Sequence, residues 1–276
     1  MLGCLLSKQQ LSQNAIENLV DVEFKVFSQF GDDGIIQWLI RKIPNLNHTF
    51  IEFGVANYRE SNTRFLLMNN NWHGFVMDGS EKNIHEIMNS EYYWKHDLVA
   101  KKAFIDAENV NDLISESGFN AEIGLLHIDV DGNDYWIWKA ISRISPSIVI
   151  VEYNCVFDRL GPVTIPYDPA FIRNNAHHSN LYFGTSIAAL IHLAGIKDYA
   201  FVGCNSAGNN AYFVKNSLLS AAVREMTYEK GFVESKFRES RDINGNLTYV
   251  RGDARLPVIR GLPLVNVITG ETIIAQ

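Results

Sequence analysis

Ile123-Gly124-Leu125-Leu126-His127-Ile128-Asp129-Val130-Asp131 decides the architecture of this 276-residue chain. Apolar side chains run almost unbroken into a pair of acids, the pattern of a strand buried on both faces that delivers carboxylates to its end. A strand is therefore predicted over 123–130. The run Ile148-Val149-Ile150-Val151 before Glu152 repeats the pattern and predicts a second strand over 147–153. Upstream, 49–54, 74–78 and 103–106 also end in, or just before, an acid or a glycine. Between these runs 59–69, 82–90, 110–117 and 134–142 read as helices, and such alternation predicts a parallel sheet with helices on both faces.

Downstream, 184–194 reads as a helix and 199–204 and 211–215 as strands. Their connector, Asn205-Ser206-Ala207-Gly208-Asn209-Asn210, is too short for a crossover helix, so the pair must be antiparallel. The expected fold is α/β: a Rossmann-like, doubly wound, mostly parallel seven-stranded sheet with a C-terminal antiparallel hairpin. Residues 1–46 are expected to supply covering helices, with Ile35, Ile36, Leu39, Ile40 and Ile43 at helical spacing over 33–43 and Asp32 or Asp33 as cap. Residues 47–216 form the core. Within it 155–183 reads as a long, structureless substrate lid carrying Pro162, Pro166, Pro169 and the pair His177-His178. Residues 217–276 begin helical, finish in glycine- and arginine-punctuated β-like runs, and receive no role.

Composition narrows the function. The chain is 47% hydrophobic with 16 Phe, 11 Tyr and 5 Trp, ample for a packed core. Its net charge of −7 has the wrong sign for binding a nucleic acid polymer. Cys4, Cys155 and Cys204 form no close pair, so neither a disulfide framework nor a thiolate zinc cluster is expected. No stretch is apolar for long enough to span a membrane, and Met1 to Leu6 lack the basic region of a signal peptide. A cytoplasmic, soluble protein is expected, with homo-oligomerisation left open.

In an open parallel sheet ligands bind beyond the carboxyl ends of the strands. The polar residues collected there are Glu52, Gly54 and Asn57; Asp78 and Ser80; Asp106; Asp129 and Asp131; and Glu152 and Asn154. Gly54 allows close approach to the backbone, and Asp78 stands 24 residues later at the end of the next strand, where a carboxylate can take both hydroxyls of a ribose. Each alone reads more readily as a strand-ending turn and a helix cap; together, in this order and at this spacing, they favour a nucleoside ligand. The chain lacks a G-x-G-x-x-G turn after its first strand and a P-loop, which disfavours NAD and P-loop nucleotide chemistry.

The strand count and the early acids resemble the class I S-adenosylmethionine (SAM)-dependent methyltransferases over about residues 27–216. Phe27-Ser28-Gln29-Phe30-Gly31-Asp32-Asp33, Phe50-Ile51-Glu52-Phe53-Gly54, His127-Ile128-Asp129-Val130-Asp131-Gly132-Asn133-Asp134 and Val202-Gly203-Cys204-Asn205-Ser206 are similar to motifs of the FkbM-like bacterial methyltransferases of polysaccharide and natural-product pathways. The resemblance implies SAM as cofactor, with Glu52 and Gly54 flanking its methionine part, Asp78 on the ribose and Asp106 near the adenine. It also implies a small carbohydrate or nucleotide-linked acceptor, as in capsular polysaccharide biosynthesis. The chain departs from the family in reducing the glycine-rich first loop to Gly54 alone.

Methyl transfer to an oxygen needs alignment of three atoms and removal of a proton. His177 and His178 on the lid are candidate bases, or else ordinary loop histidines; His127, inside a strand pattern, reads as a core or rim residue. Asp129, Glu152 and Asn154 are candidate ligands for Mg2+ or Mn2+, or else Asp129 orients cofactor or acceptor without metal and Glu152 pairs with an arginine. Asp131 reads as a helix cap, and Trp136 and Trp138 as packing residues. Two other functions fit the same residues: a metal-dependent nucleotide-sugar glycosyltransferase using Asp129-Val130-Asp131, and a catalytically silent scaffold.

Overall fold

The computed structural model describes residues 2–10 and 16–276. Parts of the expected covering region, Met1 and residues 11–15, lie outside the described residues. An N-terminal helix α1 (Leu2–Gln9) and a longer α2 (Asp32–Lys42) precede the first strand. The sheet is then laid down by β1 (Thr49–Phe53), α3 (Arg64–Asn70), β2 (His73–Asp78), α4 (Glu81–Met88), α5 (Glu91–Lys95), β3 (Leu98–Lys102), α6 (Val110–Ser115), β4 (Glu122–Ile128), α7 (Asp134–Ala140) and β5 (Ser145–Glu152). After β6 (Val163–Thr164) and α8 (Arg173–Ala176), helix α9 (Ile187–Ile196) leads into β7 (Tyr199–Cys204) and β8 (Asn210–Lys215). The seven strands lie in the order β3-β2-β1-β4-β5-β8-β7. Strands β1 to β5 are mutually parallel, and β8 runs antiparallel to both its neighbours, as a short connector requires.

Alternation along each strand feeds two cores. Ile51, Phe53, Leu126, Ile128, Val149 and Val151 face α6, α7 and α9, where Ile137, Trp138, Leu190 and Leu193 are buried. Phe50, Val76, Leu125, Ile148 and Ile150 face α2, α3 and α4, meeting Ile36, Trp38, Leu39, Leu67 and Ile87. Each such side chain contributes roughly 1.5–3 kcal/mol by leaving water. The two tryptophans of α7 have different neighbours: Trp138 packs on Phe213 with ring centroids 4.9 Å apart, whereas the Trp136 indole donates to the Ile165 carbonyl at 2.9 Å.

Three expectations need correction. The third strand is not 103–106 but Leu98–Lys102. As the edge strand of the sheet it buries one face only, so it alternates Leu98-Val99-Ala100 and lacks the continuous apolar run that marks its neighbours. The first crossover helix starts at Arg64 rather than near Arg59, because the buried Glu52 carboxylate accepts the backbone N–H groups of Asn62 and Thr63 and sets the start of the helix. The segment expected as a structureless lid carries a 3-10 helix (Cys155–Leu160), β6 and α8. Strand β6 pairs with β9 (Pro263–Asn266), which pairs in turn with β10 (Thr272–Ile274). Phe157, Val163, Ile165, Leu181 and Tyr182 share a buried cluster with Ile259, Leu264 and Ala275, so lid and C-terminal segment fold as one cap.

Two sequence motifs meet at the start of α2. Asp32 is fully buried and accepts hydrogen bonds from Asn205, Asn210 and Tyr212, at 3.0, 3.0 and 2.5 Å. Asp33 accepts the N–H groups of Val26, Phe27 and Ser28 at 2.7–2.9 Å. Gly34 is what lets α2 approach this segment: a Cβ there would lie 2.2 Å from both Val22 O and Phe24 N, which are backbone atoms and cannot step aside. Gly34→Ala is expected to lower the unfolding free energy by about 3 kcal/mol, read as a shifted urea midpoint at unchanged m value. An unchanged midpoint would show that α2 is free to move off the sheet.

Candidate functional site

The ends of β1, β4, β5 and the start of β8 surround a cavity of about 470 Å³. It lies beside the point where the strand order reverses between β1 and β4, the expected ligand position in such a sheet. Its floor follows from register. Glu52 is the β-partner of His127, and Glu152 is the β-partner of Asn210. The far wall comes from the cap, with Arg173, Phe237 and Glu239.

Glu52 is 2% exposed, and five groups compensate its burial. His127 Nδ1 lies 2.8 Å from Oε1, the Asn62 and Thr63 amides donate at 3.1 and 3.2 Å, and the Ser61 and Thr63 hydroxyls donate to Oε2. Burial alone would raise the carboxyl, but the imidazole and the hydroxyls hold it below its ordinary value. Burial would equally lower His127, and the Glu52 carboxylate raises it instead. The two therefore form a buried ion pair, and the Asn62 side chain lies 3.2 Å from the other imidazole nitrogen.

Gly54, at φ +73°, brings two loops into contact: a Cβ there would lie 1.5 Å from the carbonyl oxygen of Asp129. A single glycine thus performs the close crossing between the turns after β1 and β4. Ala56, Tyr58 and Asp131 also take positive φ, at 46°, 62° and 57°, so the strand-end loops are held in conformations costly for residues with side chains.

Asp129, Asp131 and Glu152 bring carboxylate oxygens within 4.8 Å of one another. Burial and then Asp131 push Asp129 up to about 7, with His127 and Arg173 pulling the other way. Burial and then Asp129 raise Glu152 well above the carboxylate range. Glu152 Oε2 is buried without a hydrogen-bond partner among the described residues. Arg173 is the cation set against this group: its guanidinium bonds Asp131 at 2.5 Å and the Asn180 carbonyl at 3.1 Å, and lies 3.6 Å over the Phe183 ring.

These placements sort the candidates. Glu52, Gly54, Asp129 and Glu152 line the cavity. Asp78 does not, but its carboxylate accepts the Ala56 N–H at 2.8 Å and so ties the loop after β1 to the end of β2; Ser80 N and Asn83 donate to its other oxygen. Ser80 caps α4, Asn57 bonds Glu86, and Asp106 accepts the Glu108 and Asn109 amides. His177 and His178 lie against each other with centroids 4.1 Å apart and planes inclined at 42°, outside the cavity wall, and His177 Nδ1 lies 2.8 Å from the Ser179 hydroxyl.

Asn154 is turned away from the carboxylates. Its amide donates to the Leu181 and Phe183 carbonyls, and its oxygen accepts the Val156 N–H. An all-oxygen donor set would suit a hard cation, yet this one lacks Asn154 and already faces a guanidinium that occupies Asp131. Asp129, Asp131 and Glu152, without Asn154, are the group close enough to share a cation, and Arg173 already pairs with Asp131. Nor does Asp131 cap α7: the Asp134 carboxylate, accepting the Val130 and Gly132 amides at 2.9 Å, organises that turn. Sequence reasoning missed Arg173, Phe237 and Glu239, which reach the site only through the fold of the cap, and passed over His127, whose partner lies 75 residues away.

No family model and no curated protein matches the sequence. Among solved structures the chain is similar to an S-adenosylmethionine-dependent methyltransferase from Clostridium acetobutylicum ATCC 824, at 13% identity and a TM-score of 0.42 over 67% of this chain and 90% of that one. It is similar to an O-methyltransferase from Bacillus cereus in complex with S-adenosylhomocysteine (SAH), at 14% and 0.42 over 76% and 90%. TrmK from M. capricolum in complex with SAH follows at 11% and 0.39 over 72% and 74%.

Proposed function

We propose that the chain is a SAM-dependent O-methyltransferase acting on a small polar acceptor, of the kind found in surface polysaccharide pathways. The observation that carries this reading is the cavity at the reversal of a β3-β2-β1-β4-β5-β8-β7 sheet, lined by Glu52 and Asp129 and bordered by the turn that Asp78 holds. Its volume suits a small ligand, and its carboxylates suit a cationic one. SAM would supply an electrophilic methyl group.

The protein's own share of the chemistry is alignment and proton removal. Gly54 and the loop tied by Asp78 form the cofactor side. Asp129 is the acid on the cavity wall whose proton affinity lies near neutrality, so it is positioned to accept the hydroxyl proton of an acceptor. The Glu52–His127 pair beneath it, neutral overall, fixes the floor. His177 and His178, lying outside the wall, are not given this role, and no step uses a divalent cation.

Calorimetry with SAH is the direct test: one site per chain is expected, and no heat would end the reading. Asp78→Ala is expected to weaken SAH binding at least tenfold, by loss of the charge-assisted tie to the Ala56 N–H that holds the loop after β1; unchanged affinity would show that the cofactor side does not depend on that tie. Dialysis against EDTA should leave SAH binding and methyl transfer unaltered, whereas loss restored by Mg2+ or Mn2+ would reinstate a metal.

A pH-dependent stability effect follows from Asp129. A carboxyl whose proton is held more tightly in the folded state than in the unfolded chain costs stability as pH rises from about 4 to about 7, and the cost stays constant above that. Asp129→Asn should therefore raise the unfolding free energy by roughly 1–2 kcal/mol at pH 8 and by much less at pH 4. Equal effects at both pH values would show that Asp129 is an ordinary exposed acid.

A further inference from the structure

The cap side of the cavity shows how an acceptor is chosen. Phe30, from the turn before α2, and Phe237, from the C-terminal segment, lie nearly parallel at 12° with ring centroids 6.0 Å apart, and both line the cavity. Beside them stand Glu60 and Glu239, with Asn209 and Asn210 below. This wall is built, not draped. Arg255 is 5% exposed, and one guanidinium nitrogen donates to both Phe237 O at 2.8 Å and Ser235 O at 3.3 Å, while another contacts Cys155 Sγ at 3.2 Å. Lys236 N donates to the Ala207 carbonyl at 2.9 Å, and the Tyr153 hydroxyl donates to the Val233 carbonyl. A Cβ on Gly208 would meet the Glu234 backbone at 2.5 Å, so the segment lies directly on the loop between β7 and β8.

Charge is distributed unevenly around that wall. Six carboxylates line the cavity against one arginine and one histidine. Arg173 is spent on Asp131 and His127 on Glu52. Lys25 and Arg241, which approach Glu60 and Glu239 at 3.7 and 3.3 Å, are not among the lining residues. The backbone N–H groups of 26–28, a ready anion nest, are already filled by Asp33. A phosphate entering here would find no unengaged cation among the described residues.

Resting on the methyl-transfer reading above, we propose that residues 233–239 form the acceptor wall, with Phe237 and Glu239 as specificity-determining residues that admit an unphosphorylated ring polyol, neutral or amine-bearing, and reject its phosphorylated or nucleotide-linked forms. The aromatic pair offers a flat apolar surface to the C–H face of a saturated ring. The carboxylates and side-chain amides accept and donate hydrogen bonds to its hydroxyls, and a protonated amine would gain from the same charges that exclude phosphate.

Calorimetry on SAH-loaded protein tests the proposal with the methyl glycosides of glucose, galactose, mannose, rhamnose, glucosamine and N-acetylglucosamine, run alongside sugar 1-phosphates and UDP-sugars of the same set. At least one glycoside is expected to bind, with its phosphorylated form at least tenfold weaker. Phe237→Ala should weaken that glycoside at least tenfold, and Glu239→Gln should narrow the discrimination against phosphate at least threefold, with SAH binding by each variant as the control for folding. Phosphorylated forms binding as well or better, glycoside affinity indifferent to Phe237, or no glycoside binding to SAH-loaded protein would each overturn the proposal while leaving the cofactor reading in place. Failure of the unmodified protein to bind SAH would instead remove that reading, and this inference with it.

Discussion

The structure depends most on a carboxylate taken almost wholly out of water. Stripping Glu52 of solvent would cost several kcal/mol if nothing replaced it. The protein replaces that solvent with an imidazole from the neighbouring strand, two hydroxyls and two backbone amides. Each partner thereby becomes fixed. His127 is locked to β1, the turn 61–63 is drawn down onto the sheet, and α3 cannot begin before Arg64. The floor of the cavity is rigid because a buried charge tolerates no loss of its partners.

Above this floor the remaining acids are under-compensated. Arg173 serves Asp131 directly and Asp129 and Glu152 only at longer range, so these two hold protons more tightly than ordinary carboxyls do. That imbalance is unfavourable for stability; in the methyl transfer proposed above it would supply a proton acceptor beside open space. Arg173 itself is held by Phe183 and the Asn180 carbonyl, both in the cap. The electrostatics of the strand ends are therefore set by a segment whose own stability comes from β6 pairing with β9 and from Arg255 binding the carbonyls of 235 and 237.

Most of the sheet was legible in the linear text because strands buried on both faces are apolar along most of their length, as 49–54, 123–130 and 147–153 are. Where burial is one-sided the signal weakens, and the edge strand was placed a few residues late, at 103–106 instead of Leu98–Lys102. The antiparallel ending was legible for a different reason, since six residues between 204 and 211 leave no room for a crossover. The acids at strand ends were legible as candidates, but not their states. Glu52 and Asp129 sit at equivalent strand ends, yet one is kept ionised by His127 and the other is driven toward protonation by Asp131 and burial.

The amino-acid sequence by itself determined the layered α/β architecture, the reversed last strand and the row of carboxylates at one sheet edge, because these follow from local periodicity and loop length. Tertiary structure alone decided which of those carboxylates line a common space, that Asn154 leaves the group while Arg173 enters it, and that Phe237 and Glu239 close the cavity from the far end of the chain. Such pairings join residues tens to hundreds of positions apart. They depend on burial and on distances of a few ångströms, quantities that exist only once the chain has folded on itself.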